Sequence, residues 1–210
     1  MHVSYNTMFV SIYHIRRIHN ISNCLAAAAM AYAGGVAPET IAATLSDFQS
    51  TDKRMEMMTL PGGVRVLNDC YNANPASMAA ALRTVSNFGQ DCQRIALLGD
   101  MLELGAEAET AHVEIGQQVA ELEYDHLAVV GNFSNQMARG AYRAGMQKEQ
   151  VHIFVDTHCM ADWLYSEMIQ SGIGQDDWLL LKGSRGMQME KVVQELEYRF
   201  ATGINEKECQ

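Results

Sequence analysis

Three short apolar runs, each ending in glycine, set the strongest limit on how this chain can fold. They are RIALLG at 94–99, HLAVVG at 126–131 and WLLLKG at 178–183, and segments with helical patterning separate them. Runs of this length suit strands that are buried on both faces, and parallel strands need long crossover connections such as helices. The alternation therefore predicts an α/β fold, a Rossmann-like, mostly parallel sheet with helices on both faces.

The rest of the sequence after residue 50 predicts three further strands and the helices between them. The runs MEMMTL and VRVLND flank Gly62 and Gly63 and predict a hairpin at the start of the sheet, and VHIFV predicts a further strand. Helices are expected at about 76–87, 107–123, 133–144, 158–170 and 187–200. Ligands of open α/β sheets bind beyond the carboxyl ends of the strands, so site residues are expected just after the terminal glycines.

The first fifty residues have a different pattern. A strand-like piece around 9–13 precedes an alanine-rich helix, which Ser22 is expected to cap and which ends at the glycine pair 34–35. A second helix begins at Pro38. The charged, turn-like QSTDKR follows and marks a predicted boundary, which divides the chain into domains 1–50 and 51–210.

Composition narrows the class of protein. Apolar residues make up 48% of the chain and charged residues 19%, and no apolar run approaches the roughly 18 residues that span a bilayer. The formal charge of −10 argues against a nucleic-acid partner, because such proteins concentrate Lys and Arg. The five cysteines form no CxxC pair. We expect a cytoplasmic, monomeric globular protein with no membrane segment and no metal bound by its own side chains.

The segment NDCYNANP, at 68–75, leaves a strand and enters a helix whose first turn contains Pro75. Such a junction presents backbone amides and short polar side chains to a ligand. Asp69 could accept hydrogen bonds from a ribose diol, and Asn72 and Asn74 could bind amide or carboxylate groups. The alternative is a capping turn, since Asn and Asp favour such positions in any case.

Two further motifs follow strand ends. In LGDMLELG, Asp100 and Glu103 could face the cleft and orient an amine or a cation, or they could be a solvated pair of loop carboxylates. In LKGSRGM, Lys182 and Arg185 flank a glycine and a serine, and could bind a carboxylate. The alternative is that these cations cap the next helix and pair with acidic residues.

These three motifs occur in one order, with HNISN at 19–23 ahead of them, and together they resemble the Mur ligase family, most closely its members that add D-alanyl-D-alanine. The resemblance runs from about residue 17 to residue 197. It implies that residues 51–210 form the family's carboxy-terminal Rossmann-like domain. Residues 1–50 would then be a helical remnant of the central ATP-binding domain.

The resemblance also implies a reaction and its site. The members of this family that add D-alanyl-D-alanine use ATP and Mg²⁺ to activate the carboxylate of UDP-N-acetylmuramoyl-tripeptide as an acyl phosphate, which the amine of D-alanyl-D-alanine attacks during peptidoglycan synthesis. The residues assigned to ATP are His19, Asn20, Asn23, Arg54 and Asp69. Those assigned to catalysis are Asp100, Glu103 and His112. Those assigned to the substrates are Tyr71, Asn72, Asn74, Lys182, Ser184 and Arg185.

Some of these assignments have simpler alternatives. Asn20 and Asn23 could serve as helix caps, and a lone helical histidine such as His112 is more often a packing or surface residue. No GxxGKT phosphate loop occurs in the chain, and the glycine expected just before His19 is missing. We therefore expect a ligase fragment, a natural truncation or an incomplete gene product, that is inactive alone.

Two other readings remain open. The chain could be a non-catalytic module that binds a nucleotide or a peptide. A dinucleotide-binding enzyme is disfavoured, because no GxGxxG follows a strand.

Overall fold

A computed structural model of the chain describes residues 18–46, 55–88, 92–170 and 172–202, with side chains described from Cys24 onward apart from residues 169 and 170. The chain divides into two compact units, Met1–Thr51 and Asp52–Gln210. The strand expected around 9–13 lies outside the described residues. No helix in the described ranges is both long enough and apolar enough to cross a membrane.

The first unit contains two helices, α1 (Ile18–Ala33) and α2 (Pro38–Ser46). Gly35 has φ +85°, a left-handed conformation that ends helices and that glycine adopts without strain. The predicted end of α1 is therefore confirmed. Its predicted start is wrong, because α1 begins at Ile18 and Ser22 lies inside the helix rather than at its N-cap.

The second unit alternates strands and helices in the predicted order. The strands are β1 (Glu56–Thr59), β2 (Arg65–Asp69), β3 (Arg94–Gly99), β4 (His126–Val130), β5 (Val151–Phe154) and β6 (Trp178–Lys182). The helices are α3 (Pro75–Ser86), α4 (Ala108–Glu121), α5 (Ser134–Arg143), α6 (Thr157–Gln170) and α7 (Glu190–Thr202). Helices α4 and α7 begin later than predicted, because the 3₁₀ turns Gly105–Glu107 and Arg185–Met187 precede them.

The six strands form one sheet in the order β1-β2-β6-β3-β4-β5. β1 pairs antiparallel with β2 in the predicted hairpin, and all the other neighbours are parallel. This confirms the mostly parallel, Rossmann-like sheet. The last strand, β6, lies between β2 and β3, so the chain returns to the middle of the sheet after it has built one edge.

Both faces of the sheet are covered, as the apolar runs predicted. Every residue of β6 is buried. Leu180 packs in the core beneath α3, α4 and α5, whereas Leu179 and Leu181 pack beneath α6 and α7. Because side chains alternate between the faces of a strand, a strand in this position must be apolar throughout.

Helices α4 and α5 touch through their backbones. A Cβ atom at Gly116 would overlap the carbonyl oxygen of Met137, and one at Gly140 would overlap the carbonyl oxygen of Val113. Only glycine permits this approach. The two helices therefore cover their half of the sheet as one closely packed layer.

We expect Gly116→Ala to destabilise the fold, because the added methyl group forces α4 away from α5. Overpacking of this kind costs about 1–3 kcal/mol or more, measured as the free energy of unfolding in urea. Gly174→Ala is the matched control, since a Cβ atom there would lie 3.7 Å from Gly172 O, an ordinary contact. Equal unfolding midpoints for the two variants would contradict the close packing of α4 against α5.

Candidate functional site

The arrangement of the sheet places a topological switch point at the carboxyl end of β6. The helices that follow β2 and β3 lie on one face, whereas the helix that follows β6 lies on the other. Loops that diverge to opposite faces leave a gap between them, where open α/β sheets bind ligands. We call residues 70–74, 100–107, 131–133 and 183–189 the switch-point loops.

Lys182, the last residue of β6, is buried with 1% of its surface exposed. Its Nζ donates to Asp69 Oδ2 at 2.7 Å, to Asn72 O at 2.8 Å and to Asp69 O at 3.4 Å. The other carboxylate oxygen of Asp69 accepts from Met55 N at 3.0 Å. Since an ammonium group has three donors, Lys182 is fully engaged and holds the loop after β2 against β6.

Ser184 connects three of the switch-point loops and is 4% exposed. Its Oγ accepts from Leu102 N at 2.8 Å and lies 3.5 Å from Ala73 O, to which it donates. Its backbone N donates to Asp100 O at 2.9 Å. One small side chain therefore fixes the loops after β2, β3 and β6 relative to one another.

Asp100 holds the loop after β4 and is 1% exposed. Its Oδ2 accepts from Asn132 N at 2.7 Å, and its Oδ1 accepts from Phe133 N at 3.1 Å. Gly131 has φ +122°, and a Cβ atom at that position would overlap the Asp100 carboxylate. The carboxylate thus takes the place of a side chain at Gly131 and satisfies the amides that lead into α5.

His112 is fully buried in α4, and its bonding defines its tautomer. Its Nδ1 lies 2.6 Å from Ala108 O, which can only accept, and its Nε2 accepts from Met101 N at 2.9 Å. The ring is therefore a neutral imidazole protonated at Nδ1, so its 4.0 Å approach to Asp100 Oδ1 is not an ion pair. Nε2 bonds to the loop after β3 and Nδ1 to the first residue of α4, so neither nitrogen is open to a ligand in this conformation.

Other residues of the same loops face solvent. Tyr71 is 41% exposed, Asn72 and Glu103 are exposed, and the Arg185 side chain is 58% exposed. Arg185 Nη1 donates to Glu190 Oε1 at 2.9 Å, which holds the guanidinium at the start of α7. The predicted substrate residues therefore form two sets, an exposed one that can reach a ligand and a buried one, Lys182 and Ser184, that holds the loops.

The described structure reaches only part of the predicted ATP site. His19, Asn20 and Asn23 lie within α1, but their side chains are outside the described set, as is all of Arg54. Asp69 is described and lies at the carboxyl end of β2. Asn74 is the N-cap of α3, where its Oδ1 accepts from Ser77 N at 2.8 Å.

Two features of this site, Leu102 and Cys70, were not predicted from the sequence. Leu102 is 41% exposed, and a Cβ atom at Gly186 would lie 3.0 Å from its Cδ1, so it forms an apolar wall beside Arg185. Its place in the LGDMLELG motif was the only available signal. Cys70 is buried beside Asp69, and burial, followed by the charge of Glu190, raises the pKa of its thiol. That thiol stays protonated and unreactive near neutral pH.

We expect Asp100→Asn to destabilise the fold while Glu103→Gln leaves stability unchanged. The asparagine NH₂ would face a backbone N–H, and an unsatisfied buried donor costs about 1–3 kcal/mol. Urea unfolding measures the loss, and hydrogen exchange should become faster at the amides of Asn132 and Phe133. A variant Asp100→Asn with wild-type stability and exchange would show that the carboxylate does not hold this loop.

Comparison with known proteins identifies a family whose match spans the whole sheet. Residues 53–185 match the family described as Mur ligase, glutamate ligase domain. The chain is 32% identical over 191 residues to the UDP-N-acetylmuramoyl-tripeptide–D-alanyl-D-alanine ligase of Bacillus subtilis (strain 168), covering 91% of this chain and 40% of that protein. The Escherichia coli (strain K12) protein of the same name is 32% identical over 179 residues, covering 85% and 37%.

Comparison with solved structures points to the same family. A crystal structure of MurF from Acinetobacter baumannii superposes with a TM-score of 0.74 and 31% identity, covering 87% of this chain and 38% of that one. MurF ligase from Thermotoga maritima in complex with ADP has a TM-score of 0.61 at 20% identity, covering 76% and 34%, and this supports the fold alone. The chain thus spans about 40% of the length of the relatives it matches.

The resemblance inferred from the three strand-end motifs is confirmed. The matched residues contain all six strands of the sheet and three of the four switch-point loops in full. The chain therefore belongs to the Mur ligase family.

Proposed function

We propose that this chain forms the dipeptide-binding part of an ATP-dependent ligase that joins D-alanyl-D-alanine to UDP-N-acetylmuramoyl-tripeptide in peptidoglycan synthesis. One observation carries the proposal: buried side chains hold the switch-point loops together, while polar side chains of the same loops are exposed to solvent. A peptide with one ammonium and one carboxylate needs fixed groups of opposite charge, and Glu103 and Arg185 provide them.

Arg185 is the group that we assign to the carboxylate of the dipeptide. Its guanidinium is exposed and is oriented by Glu190, and a guanidinium can donate two parallel hydrogen bonds to a carboxylate. Asn72 lies on the neighbouring loop, and its Oδ1 already accepts from Ala73 N at 2.8 Å. Its amide Nδ2 is therefore the atom that would donate to a peptide carbonyl.

Glu103 is the group that we assign to the amine of the dipeptide. Asp100 and His112, which the resemblance also assigns to catalysis, are buried and engaged with backbone groups. We propose that these two are positioning residues and that Glu103 alone of the three contacts the ammonium. An amine must lose a proton before it attacks an activated carboxyl group, and a carboxylate beside it can orient it and accept that proton.

The nucleotide side of the proposal depends on Asp69. Each oxygen of its carboxylate accepts one hydrogen bond within the described structure, from Lys182 and from Met55 N, so each keeps a lone pair for a ribose diol. ATP would supply the phosphoryl group that activates the precursor. No group of three or more possible metal ligands occurs among the described residues, so we assign none of them to Mg²⁺.

Two further parts of the proposal concern the chain as a whole. We propose that the first unit corresponds to part of the family's central ATP-binding domain and that residues from about 51 onward form its carboxy-terminal domain. We also propose that the protein works as a monomer in the cytoplasm. Size-exclusion chromatography with light scattering would test the monomer, and a dimer would contradict it.

We expect the 210-residue chain alone to release no phosphate from ATP in the presence of Mg²⁺, UDP-N-acetylmuramoyl-tripeptide and D-alanyl-D-alanine. The sequence contains no GxxGKT segment to cradle the phosphates. The measurement is phosphate release against a control without protein. Turnover at an ordinary enzymatic rate, about 1 s⁻¹ or faster, would contradict the proposal that the chain does not ligate on its own.

Binding of the dipeptide is expected even without catalysis, and Arg185→Gln should weaken it about tenfold through loss of a charge-assisted hydrogen bond. Amide chemical shifts in an NMR titration with D-alanyl-D-alanine measure the affinity, and residues 100–105 and 183–187 should shift. Lys191→Gln is the matched control, because Lys191 is exposed on α7 and outside the switch-point loops.

The dipeptide amide separates charge recognition from a general disturbance of the loop. Wild type and Arg185→Gln should bind D-alanyl-D-alaninamide equally, since that ligand lacks the carboxylate. Binding of nucleotide without any binding of dipeptide would favour the alternative of a nucleotide-binding module.

A further inference from the structure

Two histidines lie side by side on neighbouring strands, away from the switch-point loops. His126 is the first residue of β4, and His152 on β5 pairs in register with Ala128, two residues further along β4. Residues two apart on a strand point to the same face, so both imidazoles lie on the side of the sheet that α6 covers. Nδ1 of His126 is 3.3 Å from Nε2 of His152, and the ring centroids are 5.4 Å apart.

The two nitrogens lie within reach of a hydrogen bond, and their separation also suits a shared metal ion. Hydrogen bonds donated by nitrogen usually measure about 2.7–3.2 Å between heavy atoms. Two nitrogens bound to one tetrahedral ion at about 2.0–2.1 Å lie about 3.3–3.4 Å apart. The observed 3.3 Å is at the long end of a hydrogen bond and equals the separation of two nitrogens on one ion.

The surroundings hold both rings in place. Trp163 on α6 packs against His152 with ring centroids 4.3 Å apart, and its edge faces His126 at 6.2 Å. Glu167 follows one turn later on α6, and its negative charge acts on His152. Both histidines are half-buried, so the rings are ordered by packing and still open to solvent.

We propose that His126 and His152 together form a binding site for a divalent first-row transition-metal ion such as Ni²⁺, Cu²⁺ or Zn²⁺. Imidazole nitrogen is a favoured ligand of all three ions, and Cu²⁺ binds tightest of them at a given set of ligands. Water completes the coordination, and the carboxylate of Glu167 adds favourable charge. The site joins β4 to the edge strand β5, so an ion there stabilises that edge of the sheet.

Ni²⁺ is the most suitable probe, because it does not oxidise thiols and Cys24, Cys70 and Cys92 are free. The chain has two tryptophans, and only Trp163 contacts the histidine pair, since Trp178 lies in the opposite core. Ni²⁺ bound at the pair should therefore quench the fluorescence of Trp163, and EDTA should restore it. The protein used is the full 210-residue chain without an affinity tag.

His126→Ala and His152→Ala should each raise the Ni²⁺ concentration needed for half-maximal quenching at least about tenfold, since each ligand of a protein metal site contributes that much or more. His158→Ala is the matched control, because that histidine is in α6 itself and outside the pair. Trp163→Phe should abolish the quenching and leave the binding measured by calorimetry intact.

A second measurement does not depend on tryptophan fluorescence. Ni²⁺ should raise the melting temperature of the wild-type chain, because an ion that binds only the folded state stabilises it. Ni²⁺ should not raise the melting temperature of His126→Asn or His152→Asn, which keep a polar side chain but lack the imidazole ligand. The proposal is overturned if Ni²⁺ neither quenches the fluorescence nor stabilises the wild-type chain. It is also overturned if both effects are equal in the wild type and in the histidine variants.

Discussion

The carboxyl edge of this sheet depends on one buried ion pair, between Lys182 of β6 and Asp69 of β2. Lysine is rarely buried, because an ammonium group loses its hydration there, and the cost is offset only when all its donors are satisfied. Here the carboxylate and two carbonyl oxygens satisfy them. Removing one partner of such a pair typically costs about 3–5 kcal/mol. The insertion of β6 between β2 and β3 is therefore tied directly to the shape of the loop after β2.

The other buried polar groups extend the same principle to the remaining loops. Ser184, Asp100 and His112 each use their side chain to satisfy backbone amides of a neighbouring loop. Loops cannot satisfy these amides with regular secondary structure, so buried side chains must do it. As a result, buried hydrogen bonds join the switch-point loops to one another while their exposed side chains are polar, the arrangement that the proposed binding role requires.

The sequence predicted the strands and the edge where the site lies, but not the roles of single residues there. Apolar runs define strands and their ends, since burial on both faces requires them. They carry no information on which strands are neighbours. Lys182 was predicted to bind substrate, and its burial follows from the register of β6 with β2, which places it opposite Asp69. Likewise, the bonds of His112 depend on the path of the loop after β3, and no periodic pattern encodes that path.

Glu103, which we assign to the amine, has an unusual backbone conformation for a residue with a side chain. Glu103 has φ +65°, and a residue with a side chain pays about 1–2 kcal/mol to adopt the left-handed conformation. Glycine adopts it freely, and Gly105, two residues later, has φ +57°. Stability alone would thus favour glycine at position 103 as well. Glu123 and Asp176 share this conformation at turns that precede β4 and β6, so it does not by itself mark a binding site. The proposed role of Glu103 depends instead on its exposed carboxylate, on a loop that His112 holds through Met101 N.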